Sequence, residues 1–276
     1  MSLIPKIYSY GSLIRFSHTI FALPFVIAAM ALIARERVVS SWQIGLIVLA
    51  VVSARAASMA FNRIVDLKYD KLNPRTLSRE LPKNKISLIG AVVFFLINLI
   101  IFILSAWGLG AHCLWLAPPV LLVLLGYSYS KRFTRFSHLI LGIALSLAPL
   151  GAVYALSAQF DLRFLSLALA IIFWVAGFDI IYALVDLEFD RSVGLHSLPA
   201  YYGERVSRLI AIFFHVLATA SLIVVGKIFF LNQYYFLAVA IFAFLISAQH
   251  LSPKINFTLT NGLASVVIMF GVLSSL

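Results

Sequence analysis

The sequence is poor in charge and in cysteine, and both shortages restrict what the protein can be. Only 11% of its 276 residues are charged, and Cys113 is its single cysteine. One cysteine excludes an internal disulfide and a cysteine-based metal site. Since the histidines show no metal-ligand spacing, we expect five of them to serve in packing or at interfaces. These are His18, His112, His138, His215 and His250.

What the sequence has in quantity is apolar residues, which make up 63% of it. A hydrocarbon core of about 30 Å requires roughly 20 apolar residues per helical span, and such runs recur along the chain. We therefore predict an all-α, polytopic membrane protein with one integral-membrane domain over residues 1–276 and nine spans. The predicted spans are 13–34, 41–65, 86–108, 111–129, 136–158, 163–186, 206–229, 233–250 and 255–275.

The basic residues give the chain a formal net charge of +11, and their positions account for most of that charge. With nine spans, most Lys and Arg fall at the N-terminus and in alternate connections, on one side of the lipid bilayer. The positive-inside rule then places the N-terminus and these loops in the cytoplasm, with a bacterial inner membrane as the expected location. No nucleic-acid partner is needed to explain the charge, and no obligate protein partner is predicted.

Two polar connections, 66–85 and 186–208, differ from the other connections, which are short. Each follows a long apolar helix, opens with acidic residues four positions apart and continues into basic residues. The helices before them are the second and the sixth predicted spans. This arrangement indicates an internal repeat of the kind found in other membrane folds.

Polar residues at these two helix ends form two stripes, because positions i and i+4 share one face of a helix. The first stripe is Asn62, Asp66 and Asp70, and the second is Asp179, Asp186 and Asp190, with Tyr182 on the same face. Asp179 lies about two turns inside the membrane end of its helix, and an ionisable group at that depth indicates a functional site. The alternative is that these acids only cap helices or pair with neighbouring bases such as Lys68 and Lys71.

Ligands with oxygen donors alone favour magnesium or calcium, and magnesium fits better beside many bases because it bridges to phosphates. The bases near the two stripes are Arg75, Arg79, Lys131 and Arg132. Carboxylates, a divalent cation and guanidinium groups together form a site for a diphosphate. A membrane substrate that joins a diphosphate to a long apolar body is a polyprenyl diphosphate.

The motifs resemble those of the UbiA superfamily of intramembrane prenyltransferases. Residues 62–70, NRIVDLKYD, match its NxxxDxxxD motif, and residues 179–190 match its DxxYAxxDxxxD motif. Residues 127–132 resemble its YxxxKR segment, and residues 75–82 resemble its RTxxRPLP loop. The resemblance implies nine transmembrane helices around a central cavity with cytoplasmic polar loops. It also implies Mg²⁺-dependent transfer of a prenyl group to an aromatic acceptor.

The resemblance also implies roles for individual residues. The expected metal and diphosphate ligands are Asn62, Asp66, Asp70, Asp186 and Asp190, and the expected diphosphate-binding residues are Arg63, Arg75, Arg79, Tyr127, Lys131 and Arg132. Three catalytic candidates remain: Asp179, Tyr182 and Arg55. Asp179 either orients or deprotonates an acceptor phenol, or belongs with the metal ligands. Arg55 either meets an acceptor carboxylate, or pairs with Asp179 or with helix carbonyls.

Departures from the family pattern bear on the acceptor. Glu80 stands where many members have proline, and His196 stands where 4-hydroxybenzoate members often have lysine. Residues 18–25, HTIFALPF, and 194–199, GLHSLP, resemble instead the branch that makes menaquinone through futalosine, whose acceptor is a dihydroxynaphthoate. Both 4-hydroxybenzoate and 1,4-dihydroxy-6-naphthoate thus remain as acceptors, in ubiquinone or menaquinone synthesis. His196 could equally be only a hydrogen-bonding residue of its loop.

Two rival functions stay open at this point. A prenyltransferase with the same chemistry could act on haem, chlorophyll or a lipid phosphate. A proton- or cation-coupled membrane transporter would also carry acids in its helices. A transporter requires acids along a path across the membrane, whereas Glu36 and Asp161 are the only acidic residues on the predicted outer side. This distribution favours the enzyme.

Overall fold

The computed structural model describes residues 3–251 and 256–276, without the side chains of residues 3–7, 18 and 20. His18, predicted to pack, and residue 255, the predicted start of the ninth span, therefore lie outside what is described. Within the described ranges every regular element is a helix, and helices account for 81% of the residues. The prediction of an all-α membrane protein is confirmed.

Twelve α-helices, α1 to α12 in chain order, make up the described part of the chain. They are Leu3–Leu13, Leu23–Ala34, Ser41–Val65, Leu67–Asp70, Leu88–Leu109, Ala111–Gly126, Ser137–Ser157, Leu165–Ala183, Leu187–Ser192, Leu198–Ile228, Gln233–Leu251 and Phe257–Leu273. Short 3₁₀ segments extend several of them: Phe16–Phe21, Tyr127–Arg132, Leu162–Phe164 and Leu184–Asp186.

Seven helical stretches in these residues are long and apolar enough to cross a membrane. They are Ser41–Val65, Leu88–Leu109, Ala111–Arg132, Ser137–Ser157, Leu162–Ser192, Leu198–Ile228 and Gln233–Leu251. Two shorter apolar helices, α2 and α12, have 12 and 17 residues. Together they correspond to the nine predicted spans, of which the first and the last are shorter than predicted.

The first predicted span, 13–34, is not one continuous helix. Arg15 has a φ of 45° just after α1, and the 3₁₀ segment Phe16–Phe21 precedes α2. Pro24 lies in the first turn of α2, where its missing N–H removes no helical hydrogen bond and its fixed φ favours the start of a helix. The apolar run therefore predicted the segment but not the break within it.

The sixth and seventh predicted spans also differ from the structure. The 3₁₀ turn Leu184–Asp186 separates α8 from α9, so the second stripe does not lie on one uninterrupted α-helix. α10 begins before the predicted span 206–229, because Ser197 Oγ accepts a hydrogen bond from the Ala200 N–H at 3.2 Å and caps it. Gly203 then has a φ of 77° inside α10, a conformation that glycine adopts without strain.

The chain divides into two compact units, and the first comprises Met1–Thr19 with Trp42–Tyr129. In this unit α5 packs against α6. Ser58 Oγ on α3 donates to Leu124 O near the end of α6 at 2.7 Å. The apolar contacts form separate small clusters rather than one large core. α3, which carries Asn62 of the first polar stripe, is thus held by a polar bond as well as by apolar packing.

The second unit comprises Ile20–Ser41 with Ser130–Leu276. Here α8 packs against both α7 and α10, and Trp174 on α8 is completely buried. Its ring centroid lies 5.0 Å from that of Phe178, and its Nε1 donates to Asn261 Oδ1 at 3.1 Å. The helix that carries Asp179 is therefore fixed from several sides. That the whole chain forms one integral-membrane domain stays a prediction.

Candidate active site

The first polar stripe keeps its helical alignment although α3 ends at Val65. Asp66 has a ψ of 1° between α3 and α4. Even so, the Asp66 N–H donates to Asn62 O at 2.9 Å, and the Asp70 N–H donates to Asp66 O at 2.8 Å. Asn62 Nδ2 also donates to Asp66 Oδ2 at 2.9 Å. Because i to i−4 bonds continue through the break, all three polar residues remain on one face.

Asp70, the last residue of this stripe, is buried against a base from the following loop. Arg79 Nη1 lies 2.6 Å from Asp70 Oδ1. The loop folds around the aspartate, since Thr76 Oγ1 donates to Asp70 O at 3.0 Å and the Arg75 N–H donates to Asn73 Oδ1 at 2.9 Å. Arg79, a predicted phosphate-binding base, therefore lies beside the acidic stripe in a short charge-assisted contact.

Other predicted site residues of the first unit lie around α3. Arg63 is buried, and its Nε donates to Leu13 O at 3.3 Å, so this base also fixes the end of α1. The Tyr127 hydroxyl lies 3.9 Å from Met59 Sδ. Arg55 is half-buried, and Tyr127 acts electrostatically on its guanidinium.

The second motif has a similar arrangement, with a lysine as the base. Lys131 Nζ lies 3.3 Å from Asp190 Oδ2, and the Asp190 side chain is buried. The Lys131 carbonyl accepts the His196 N–H at 2.6 Å, while the His196 side chain is exposed. In each motif, therefore, the last aspartate is buried against a base that comes from outside the motif.

Asp179 pairs with His138, which was predicted to serve in packing or at an interface. His138 Nδ1 lies 2.6 Å from Asp179 Oδ2, and the imidazole is completely buried while 24% of the Asp179 side chain is exposed. His138 is thus buried, as predicted, but the prediction missed its contact with Asp179. The sequence did contain information that could have predicted this pair. His138 lies at the start of α7, and Asp179 lies near the end of α8, the next long helix. Consecutive antiparallel helices bring such positions to the same end.

The remaining predicted residues of the second unit lie near this pair along the chain. Tyr182 follows Asp179 by almost one turn, and its ring centroid lies 5.1 Å from that of Phe257 at the start of α12. Asp186 is buried at the end of its 3₁₀ turn. Lys131 and Asp186 are the other charged groups that act electrostatically on Asp179. Arg132 ends the 3₁₀ segment that carries Lys131.

The donor atoms of each motif suit magnesium bound together with a diphosphate. Across residues 3–251 and 256–276, no three His, Cys, Asp or Glu side chains are close enough to hold a metal alone. The motifs offer oxygen donors only, from carboxylates and one amide. Magnesium suits such sites because it keeps several waters and binds through one or two carboxylates plus substrate phosphates. The predicted ligands remain Asn62, Asp66, Asp70, Asp186 and Asp190.

The helical membrane fold and the two acidic motifs define an intramembrane prenyltransferase, and comparison with protein families agrees. The model of the UbiA prenyltransferase family matches residues 22–257. The chain belongs to this family. The predicted family is confirmed, and so is the prediction that the protein is an aromatic prenyltransferase enzyme.

Curated relatives share this chemistry by name. A 4-hydroxybenzoate octaprenyltransferase from Francisella tularensis subsp. novicida (strain U112) is 29% identical over 211 residues, which are 76% of this chain and 74% of that protein. A 4-hydroxybenzoate octaprenyltransferase from Tolumonas auensis is 31% identical over 158 residues, which are 57% of this chain and 55% of that protein.

Solved structures show the same fold. The apo structure of a UbiA homolog from Aeropyrum pernix K1 has a TM-score of 0.86 and 32% identity, and the match covers 93% of this chain and 97% of that one. A UbiA homolog from Archaeoglobus fulgidus bound to GPP and Mg²⁺ has a TM-score of 0.69 and 17% identity, and the match covers 97% and 99% of the two chains. At that identity the second likeness shows the fold alone.

Proposed function

We propose that the protein transfers a polyprenyl group from a polyprenyl diphosphate to an aromatic hydroxy acid, with Mg²⁺, in ubiquinone or menaquinone synthesis. The observation that carries this proposal is the pairing of each motif's last aspartate with a base, Asp70 with Arg79 and Asp190 with Lys131. Each motif thus combines a carboxylate that can bind a metal with a base that can bind phosphate oxygens. A diphosphate requires both.

The bases would favour the departure of diphosphate. Bound magnesium supplies positive charge to the leaving phosphate oxygens. Arg79 and Lys131 would each bind phosphate oxygens as the allylic carbon–oxygen bond breaks and its electron pair leaves with diphosphate. The aromatic face of Tyr182 would stabilise the allylic cation through its quadrupole. A ring carbon of the acceptor then forms the new carbon–carbon bond, and the ring loses a proton to a base.

Two further residues would handle the acceptor. Asp179 is partly exposed and lies one turn before Tyr182, so it would take the phenolic proton. Arg55 would bind the acceptor carboxylate, because a guanidinium forms bidentate hydrogen bonds with carboxylates. These two roles require an acceptor with both a phenol and a carboxylate, which disfavours haem, chlorophyll and lipid phosphates.

Two acceptors each have a specific observation in their favour. The names of the curated relatives favour 4-hydroxybenzoate, whereas the segments 18–25 and 194–199 resemble members that use a dihydroxynaphthoate. Glu80 Oε1 accepts a hydrogen bond from Ser12 Oγ at 2.5 Å, and His196 bonds to Lys131 through its backbone. Both residues therefore hold loops in place, a role that does not depend on the acceptor.

The test is a choice of acceptor. Purified protein in liposomes receives Mg²⁺, a polyprenyl diphosphate and either 4-hydroxybenzoate or 1,4-dihydroxy-6-naphthoate, and prenylated products are identified by mass. Product from the naphthoate alone places the enzyme in menaquinone synthesis, and product from the benzoate alone places it in ubiquinone synthesis. Chelation of Mg²⁺ should stop either reaction. Product from neither acceptor, by a protein that still binds the diphosphate, would contradict the proposed acceptor class.

A further inference from the structure

The His138–Asp179 pair has one accessible member. The imidazole is completely buried, whereas about a quarter of the Asp179 side chain is exposed. His138 Nδ1 and Asp179 Oδ2 are 2.6 Å apart. His138 Nε2 is buried and has no hydrogen-bond partner among the residues described. A substrate can therefore touch Asp179 but not the imidazole behind it.

The fold brings the two residues together through a close approach of α7 and α8. Gly142 lies one turn after His138 on α7, and a Cβ at Gly142 would lie 2.5 Å from Ile172 O on α8. Only glycine permits this approach of two backbones. Ile172 lies two turns before Asp179, so the contact fixes the two helices one to two turns away from the pair. The His138–Asp179 distance is thus set by helix packing and not by flexible loops.

The buried nitrogen bears on which ring atom carries the imidazole proton. A proton on His138 Nε2 would create a buried N–H donor without an acceptor among the described residues, which is unfavourable. The arrangement without such a donor has the proton on Nδ1, which donates to the Asp179 carboxylate. Lys131 and Asp186 are the neighbouring charged groups. Asp179 Oδ1 is then left to receive a proton.

We propose that His138 is a positioning residue for prenyl transfer, which keeps Asp179 ionised and oriented toward the acceptor phenol. This inference rests on the proposed function. The phenolic O–H bond breaks, its proton passes to Asp179 Oδ1, and the electron pair stays on the acceptor oxygen. The more electron-rich ring then attacks the allylic cation that the departure of diphosphate leaves. The attacked ring carbon passes its proton to the released diphosphate, and Asp179 returns its proton to the acceptor oxygen.

Two isosteric variants test this role. In His138→Asn the amide N–H reaches the position of Nδ1 and can still donate to Asp179, whereas in His138→Gln it reaches the position of Nε2. We expect His138→Asn to keep kcat within about fivefold of wild type. His138→Gln should lower kcat by about 100-fold, the low end for a lost acid–base contribution. Both variants should leave the donor KM within about twofold, because Asp179 is not assigned to diphosphate.

The readouts are kcat and both KM values in the prenyl transfer assay, with thermal unfolding as a check of the fold. Equal kcat for His138→Gln and wild type would overturn the inference. Equal losses in both variants with a raised donor KM would also overturn it, since they indicate a purely structural role. A wild-type protein that prenylates neither phenolic acid would instead contradict the proposed function, so the two failures are distinguishable.

Discussion

At the scale of single residues, the proposed diphosphate site contains two acid–base pairs in which the aspartate is buried. Asp70 and Asp190 are both buried, and each has a base within 3.3 Å. Removal of one partner leaves a buried charge uncompensated, which is strongly unfavourable. Arg79 and Lys131 therefore compensate the buried aspartates, and in the proposed site their replacement should affect donor binding first.

Replacement of Arg79 by glutamine tests this assignment. Loss of a charged hydrogen-bond donor to phosphate should raise the donor KM by about tenfold or more, with little change in the acceptor KM. Lys68→Gln is the matched control, because Lys68 is an exposed base on α4 beside the same stripe. Steady-state kinetics with each substrate varied in turn gives both constants. Equal changes in the two KM values would remove Arg79 from the diphosphate site.

Residue spacing predicted some of these features and not others. The four-residue spacing of Asn62, Asp66 and Asp70 predicted their common face, and the backbone bonds confirm it. The partner of Asp179 was not predicted, because His138 lies 41 positions away along the chain. Contacts within one helix follow from periodicity, whereas contacts between helices depend on packing that a single sequence does not state.

At the scale of the helices, the packing of α7 against α8 depends on Gly142, which has no side chain. Gly142→Ala should destabilise the protein by about 1–3 kcal/mol, the usual cost of overpacking, because its Cβ would meet the backbone of Ile172. Gly151→Ala in the same helix is the control, since a Cβ there meets nothing within 4 Å. Thermal unfolding in detergent measures both. Equal stability of the two variants would contradict the close helix contact.

Two connections of the second unit are joined by an ion-pair cluster. Arg163 lies 2.6 Å from Glu36 between α2 and α3, and 2.6 Å from Asp161 between α7 and α8. Hydrogen bonds from Arg163 hold the pKa of Glu36 below its ordinary value of 4.5 and the pKa of Asp161 below its ordinary value of 3.8. The cluster is partly exposed, so its contribution is screened by solvent.

The lowered pKa values predict how this contribution depends on pH. A carboxyl group with a lower pKa in the folded state stabilises the fold above its unfolded pKa, and the effect is lost as pH falls through the folded pKa. Arg163→Gln should thus lower the unfolding temperature by a constant amount between about pH 6 and 8, and by less below about pH 4.5. Lys227→Gln, on the same predicted side, is the control. A difference that persists at low pH would contradict the assignment.

The positions at which helices are interrupted were harder to predict than the helices themselves. Mean hydropathy predicted the apolar segments, but the 3₁₀ turn Leu184–Asp186 lies where the sequence remains compatible with helix. Such breaks arise from local hydrogen bonds and from backbone conformations that tertiary packing selects. They matter for function, because Asp66 and Asp186 both lie at a break.

At the scale of the whole molecule, we predict the orientation of the chain in the membrane. Basic residues gather in the polar loops 66–85 and 186–208, which we place in the cytoplasm. Cys113 is the only native cysteine, so a Cys113→Ser background allows single cysteines to report the side. Lys83→Cys should react with a membrane-impermeant maleimide only after permeabilisation, and Gln159→Cys should react in intact cells. The reverse pattern would contradict the orientation.

The central claim is that each acidic motif takes part in binding a prenyl diphosphate through magnesium. Its most direct test is calorimetric binding of a prenyl thiodiphosphate, which resists cleavage, with and without Mg²⁺. We expect binding to require Mg²⁺, and Asp66→Asn and Asp186→Asn each to weaken it at least about tenfold, or about 1.4 kcal/mol. Glu188→Gln, in the second motif but 86% exposed, should bind as wild type does. Tight binding without Mg²⁺, or unchanged binding by either aspartate variant, would contradict the claim.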